Sequence, residues 1–198
     1  MFRRGRKYVI IAPAFVAAAL ASYWLWDHRG YWIINNFREV EPGRIYAGAF
    51  PYPKPLKEII RRHKIKTVLS LREGDKGEMG ERTTLRTHRV RFHKIIVPYQ
   101  VPDAVRIAAI EEAIAFITDE RNQPVYVHCW AGCHRTGAVV AIYRVSRCNW
   151  TESEAREELE SWGGTARGTK WPMRVLRSYC SHADSIASSE AVSGSLRE

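Results

Sequence analysis

Cys129 and Arg135 stand with five residues between them in the stretch Pro124-Val125-Tyr126-Val127-His128-Cys129-Trp130-Ala131-Gly132-Cys133-His134-Arg135-Thr136-Gly137. A thiol and a guanidinium at that spacing can seize an oxyanion and attack it. The guanidinium offers a planar fork of donors to phosphate oxygens. The thiol reacts as its thiolate, a form favoured by a neighbouring arginine and by the N-terminus of a helix. Backbone N–H groups of a loop closing onto that helix would complete an anion cradle. Trp130, Ala131, Gly132, Cys133, His134 and Arg135 are therefore the candidate phosphate-binding positions. Other readings of these residues carry less. A buried cysteine is ordinarily a small hydrophobe. His128, Cys129, Cys133 and His134 are the right elements for zinc, but four ligands on one tight loop could hardly surround an ion tetrahedrally. Sulfur transfer of the rhodanese kind does not account for Arg-Thr-Gly.

Such a loop needs a strand to end at the cysteine and a helix to begin at the arginine. Pro124 to His128 is a short β-branched and aromatic run, which predicts a buried strand. Ala138 to Val145 is apolar and long enough for a core helix.

His-Cys-x5-Arg-Thr-Gly in this context resembles the signature of the cysteine-dependent protein tyrosine and dual-specificity phosphatases. Asn36 to Tyr46 and Ile65 to Arg72 resemble the opening and first core strand of the atypical, plant and fungal type of dual-specificity phosphatase. The likeness covers roughly Phe37 to Tyr179. It implies an α/β fold with a central, mostly parallel sheet of four to five strands flanked by helices. It also implies hydrolysis of phosphate monoesters through a cysteinyl-phosphate intermediate, with neither metal nor cofactor. Thr136 would then support the leaving thiolate, although on its own it could equally cap a helix.

Expelling an alkoxide or a phenolate, whose conjugate acid has a pKa of about 10, calls for a proton donor. The resemblance places an aspartate on a loop upstream of the cysteine, and Asp103, in Val101-Pro102-Asp103, lies in the matching region. The departure from Trp-Pro-Asp leaves a second reading, an N-cap for the helix that carries Ile107, Ile110, Ile114 and Ile117. Asp75, Glu78 and Glu81 are alternative donors in the polar stretch from Arg72 to Arg89.

The remaining chain supplies a frame. Residues 1–34 hold a basic start and an uncharged run, Tyr8 to Trp26, long enough for a transmembrane or signal-anchor helix. Trp24, Trp26, Tyr31 and Trp32 resemble an interfacial belt, and the charge bias predicts a single-pass protein with its catalytic domain exported. Cleavage after Ala19-Leu20-Ala21 would instead release a secreted protein. A phosphatase domain is expected over 35–184 and a disordered tail over 185–198. Within the domain the pattern predicts a first, edge strand at Arg44 to Ala47, strands at Lys66 to Leu71 and Phe92 to Val97, and a helix from Leu56 to His63. Thr151-Glu152-Ser153-Glu154 reads as a capping box opening a helix that Gly163-Gly164 stops. Arg167, Lys170 and Arg174 are basic candidates for the substrate mouth. Cys148 and Cys180 could pair. The net charge of +10 favours anionic partners, a phosphorylated protein or a phosphorylated lipid. Nucleic acid is not expected, since no binding motif is present. A non-catalytic phosphate-binding module is the alternative from another class, and the complete Cys, Arg and Thr positions argue against it.

Overall fold

The computed structural model describes residues 6–27, 33–163 and 170–182, with side chains over 15–25 in the first segment. Its elements run α1 (Arg6–Asp27), β1 (Arg38–Glu41), β2 (Ile45–Gly48), α2 (Pro53–His63), β3 (Thr67–Ser70), α3 (Glu78–Thr87), β4 (Arg91–Lys94), α4 (Asp103–Thr118), β5 (Val125–His128), α5 (Arg135–Cys148) and α6 (Glu152–Ser161). A last helix, α7, covers 171–182.

The strands form one sheet in the order β1-β2-β5-β3-β4. Only the β1–β2 pair is antiparallel; β2, β5, β3 and β4 are parallel. The mostly parallel α/β sheet expected from the sequence is therefore present, with five strands. β5 is central, and all four of its residues are buried, as a parallel strand covered on both faces must be. Alternation along the strands feeds two cores. Ile45, Ala47, Leu69, Val125 and Val127 face α4 and α5, through Ile110, Ile114, Val139 and Ile142. Tyr46, Val68 and Tyr126 face α2 and α3, through Leu56, Ile60 and Leu85. The register sets Gly48, His128 and Ser70 side by side at the carboxyl ends of β2, β5 and β3. That edge is where open parallel sheets form their ligand crevice.

One strand and one surface expectation need correction. The segment predicted as an edge strand is interior: β2 is paired on both sides, and β1 takes the edge. The polar stretch from Arg72, which reads as a loop plus a weak helix with a solvated face, holds the helix α3, but Glu78, Glu81, Thr84 and Leu85 on it are buried. The capping box is as read, with Thr151 accepting from the Glu154 amide and Glu154 accepting from the Thr151 amide.

The membrane expectation is overturned. Among the described residues no helix is long and apolar enough to cross a membrane. The transmembrane helix is removed from the fold class, and the single-pass, exported placement of the catalytic domain loses its basis. The basic start at 1–5, Tyr31, Trp32, Arg167 and the tail at 185–198 lie outside the described residues.

Candidate active site

The chain turns at Cys129, immediately beyond β5, and re-enters regular structure at Arg135, the first residue of α5. Two contacts hold the turn from outside. The Phe50 amide donates to the Trp130 carbonyl at 3.1 Å, and Asn36 Nδ2 donates to the Ala131 carbonyl at 2.9 Å. In a trans peptide the N–H points opposite to the C=O. Binding the Ala131 carbonyl to Asn36 therefore aims the Gly132 N–H inward, where it donates to Cys129 Sγ at 3.2 Å. Gly132 has φ of +76°, and a Cβ there would lie 2.4 Å from both the Ala49 nitrogen and the Gly48 carbonyl carbon. Only glycine fits that left-handed turn against neighbouring backbone. Cys129 is nearly sealed, 2% exposed.

Arg135 is also buried and is fixed at three points. Nε donates to the Val97 carbonyl at 2.8 Å, Nη2 donates to Glu73 Oε2 at 3.0 Å, and the guanidinium carbon lies 3.9 Å from the Tyr99 ring centroid. Burial pushes the Tyr99 phenol up, while Arg135 beside it pulls the other way. Thr136 is fully buried, and its hydroxyl has no hydrogen-bond partner among the described residues.

Beside the loop stands an aromatic and cationic wall. The Trp130 ring is half exposed and stacks on Phe50 at 5.4 Å and 13°. Buried Arg72 lies 4.5 Å from the Phe50 centroid and 4.8 Å from that of Trp130, and donates to the Lys76 carbonyl at 2.5 Å. Desolvation holds the Arg72 guanidinium below its usual range, opposed by the charges of Glu81 and Glu78. Lys76 reaches the outer face at 6.0 Å from the Trp130 centroid.

Asp103 is placed differently. It is the first residue of α4, with no side-chain cap bond, and among the described residues its partners are Arg106 and Arg174. Arg174 Nε donates to Oδ2 at 2.7 Å and Arg106 Nη1 donates to Oδ1 at 2.5 Å. The Arg174 hydrogen bond, against a partial desolvation cost, holds its carboxyl below the usual range. Buried Arg106 also donates to the carbonyls of Pro98, Tyr99 and Val101, so it fixes the loop that runs from Val97, the partner of Arg135, to Asp103. The alternative donors fare no better. Glu78 is desolvated, which raises its carboxyl, but Lys94 and Arg82 outweigh this and hold it low. Glu81 has no exposed side-chain surface and lies against His128.

Sequence reasoning missed Asn36, Phe50, Glu73 and Arg106. Each reaches the site or its loop through a long-range or side-chain-to-backbone contact. The loop, Arg135 and Thr136 come together at the carboxyl edge of the sheet; Asp103 is held at the far end of its own loop.

The sequence model of the tyrosine phosphatase family matches residues 33–174. The chain belongs to that family. It is similar to the dual specificity protein phosphatase TpbA of Pseudomonas aeruginosa, with 29% identity over 145 residues, covering 71% of this chain and 59% of that one. It is similar to the inositol diphosphatase DSP3 of Arabidopsis thaliana, with 26% identity over 154 residues, covering 76% and 72%. The solved core catalytic domain of the PP-IP phosphatase SIW14 from S. cerevisiae shares the fold, with a TM-score of 0.63, 20% identity and coverage of 72% and 83%. The chain is thus a cysteine-dependent phosphatase of the tyrosine and dual-specificity class, acting on phosphorylated substrates.

Proposed function

We propose that Cys129 attacks phosphorus in line while Arg135 and the amides of Trp130 to Arg135 hold the equatorial oxygens. The observation that carries this is the Gly132 N–H aimed at Cys129 Sγ in a loop whose Trp130 and Ala131 carbonyls are bound from outside. The unpartnered hydroxyl of Thr136 is available to donate to the sulfur when the cysteinyl-phosphate is hydrolysed. Phosphate displaces Glu73 from the outer nitrogen of Arg135, which frees the fork for two oxygens. Asp103 protonates the leaving oxygen and later activates water, and for this it leaves Arg174. A second assignment has a specific contact in its favour: Glu73, half exposed and 3.0 Å from Arg135, is the carboxylate already at the reacting residues.

The substrate is a phosphotyrosine-bearing protein. Half-exposed Trp130 and Tyr99 offer rings on which an aryl phosphate can stack. The loop carries no cation besides His134 and Arg135, which suits a single phosphate better than a polyphosphate. Phosphate release by the full chain, with reductant and without added metal, tests this on a nitrophenyl phosphate, a phosphotyrosine peptide, phospholipid vesicles and an inositol polyphosphate. Turnover lost in Cys129→Ser and fastest on the peptide is the expected result. Phosphate compounds bound without release would leave a binding module, and preference for the vesicles or the inositol polyphosphate would replace the substrate assignment.

A further inference from the structure

The rim of the active site continues into a cationic strip. Trp130 stacks on Phe50, and Phe50 lies at the corner where α2 and α3 begin side by side. A Cβ at Gly77 would meet the Phe50 ring at 2.9 Å, and one at Gly80 would meet Pro53 Cγ at 3.8 Å. Exposed Lys76 therefore stands on one side of this corner and exposed Lys54 on the other. From there a cleft of about 410 Å³ follows α2 toward the end of α3, lined by Lys54, Lys57, Glu58, Arg61 and His88. The proposed reaction gives these residues no task.

The sequence of α2 divides its two faces. Pro55, Leu56, Ile59 and Ile60 are buried, the spacing of a helix with one apolar stripe. The opposite face presents Lys54, Lys57, Arg61 and Arg62 against a single acid, Glu58. Arg61 and Arg62 lie in the last turn, where the helix dipole favours cations. Lys54 lies in the first turn, where the dipole opposes a cation and where α2 has no acidic residue. Like charges three residues apart, as in Lys54 and Lys57, cost the helix further. An anionic ligand would relieve both costs. The carboxylates nearby are already engaged: Arg135 holds Glu73, Lys94 and Arg82 hold Glu78, and Arg61 holds Glu58.

We propose that this strip is a docking groove for an acidic segment of the phosphoprotein, lying within about seven extended residues of the phosphotyrosine. This rests on the reading of a phosphotyrosine-bearing protein as the substrate. Continuity with the site selects the occupant. A polypeptide whose phosphotyrosine enters beside Trp130 must cross the rim, and the groove starts there. The chain from Phe50 to Lys54 spans at most about 14 Å, and Lys54 to Arg61 is about 10 Å of helix. A cleft of this kind admits an extended chain, whereas a flat lipid surface touches only its edges. Each exposed lysine is worth little alone, so the preference comes from several acids bound along one peptide.

The test uses the full chain, with reductant and at low salt. Two phosphotyrosine peptides are compared that differ only in their flanks, glutamates in one and glutamines at the same positions in the other. The glutamate peptide is expected to have kcat/KM about fivefold higher, through KM, and the gap is expected to close as added salt shortens the screening length. In a variant carrying Lys54→Gln and Lys57→Gln the gap is expected to shrink to about twofold or less. Both positions are exposed, so the fold should survive, and turnover of a nitrophenyl phosphate, which does not reach α2, should be unchanged. Equal rates on the two peptides in the wild type, or a gap that survives in the double variant, overturns the proposal. A double variant that instead loses turnover only on anionic phospholipid vesicles assigns the strip to a membrane and also overturns it. If nitrophenyl phosphate is turned over and neither peptide is, the phosphotyrosine reading itself fails and the proposal falls with it.

Discussion

The loop from Cys129 to Arg135 is held by backbone and by buried contacts, whereas Asp103 is held by side-chain ion pairs at a half-open surface. Around the nucleophile, the Phe50 amide, the Asn36 amide group and the left-handed turn at Gly132 leave little freedom. Around Asp103, one guanidinium is buried, that of Arg106, and the other, that of Arg174, is largely exposed on α7. Phosphate recognition must be ready before substrate arrives, because preorganised donors act without reorganisation at the moment of reaction. A proton donor can be brought in afterwards. The difference teaches that substitutions at the loop should cost rate at once, while those near Asp103 should change which leaving groups are tolerated.

The largest effect is expected where the phosphate fork is lost. Arg135→Lys keeps a positive charge but removes the planar donor pair and the fit to the Val97 carbonyl. Turnover should fall about a thousandfold, on the scale of a lost transition-state contact, as initial-rate kinetics on a nitrophenyl phosphate would show. A fall of only a few-fold would mean that the loop amides alone supply recognition.

Gly132→Ala should come next. The left-handed φ strains any side chain, by about 1–3 kcal/mol, and the added carbon meets backbone that cannot move aside. A drop in melting temperature together with a rate loss of about a hundredfold is expected. Asn36→Ala should be milder. It removes one side-chain hydrogen bond, about 1 kcal/mol, and lets the Ala131–Gly132 peptide turn. A melting curve and a rate assay on the same sample would separate stability from alignment, and a rate unaffected by the loss would place the hold on the loop in the Phe50 amide alone.

Local patterns made much of this legible beforehand. The apolar run into Cys129 announced a strand buried on both faces, Thr151 and Glu154 announced a helix start, and the spacing of Cys129 and Arg135 announced the cradle. What stayed hidden depends on residues far apart in sequence. Arg44 to Ala47 looked like an edge because its partner on the outer side, β1, is only four residues, three of them charged, with Val40 alone facing the core. The stretch after Arg72 looked solvated because buried Glu81 is hidden only by its pairing with His128 across 47 residues of chain. Asn36 finds Ala131 across 95 residues and Glu73 finds Arg135 across 62. The N-terminal run carried a membrane pattern that no described helix meets. Composition can show that a segment is apolar; it cannot show which carboxylate meets which arginine.

The smallest effect should come from Arg174→Ala, and it bears most directly on the comparison. Asp103 is held below its ordinary value of 3.8, chiefly by the Arg174 hydrogen bond. A carboxyl with a depressed folded value stabilises the protein above the unfolded value, and this contribution disappears as pH falls through the folded one. The variant should therefore melt slightly lower than wild type at neutral pH, by about 2 °C or less for an exposed pair, and the two should converge in strong acid. Its kinetics should move the opposite way. With Arg174 gone, Asp103 is released from its strongest partner and its carboxyl rises toward the ordinary range, which makes it a better proton donor near neutrality. Turnover of the phosphotyrosine peptide should then rise relative to that of a nitrophenyl phosphate, whose leaving group needs little help. The same ratio should collapse in Asp103→Asn. If Arg174→Ala leaves the ratio unchanged and Glu73→Gln lowers it, the proton comes from Glu73. The acid would then belong to the same fixed constellation as Arg135, and the contrast between a rigid nucleophile side and a movable acid side would not hold.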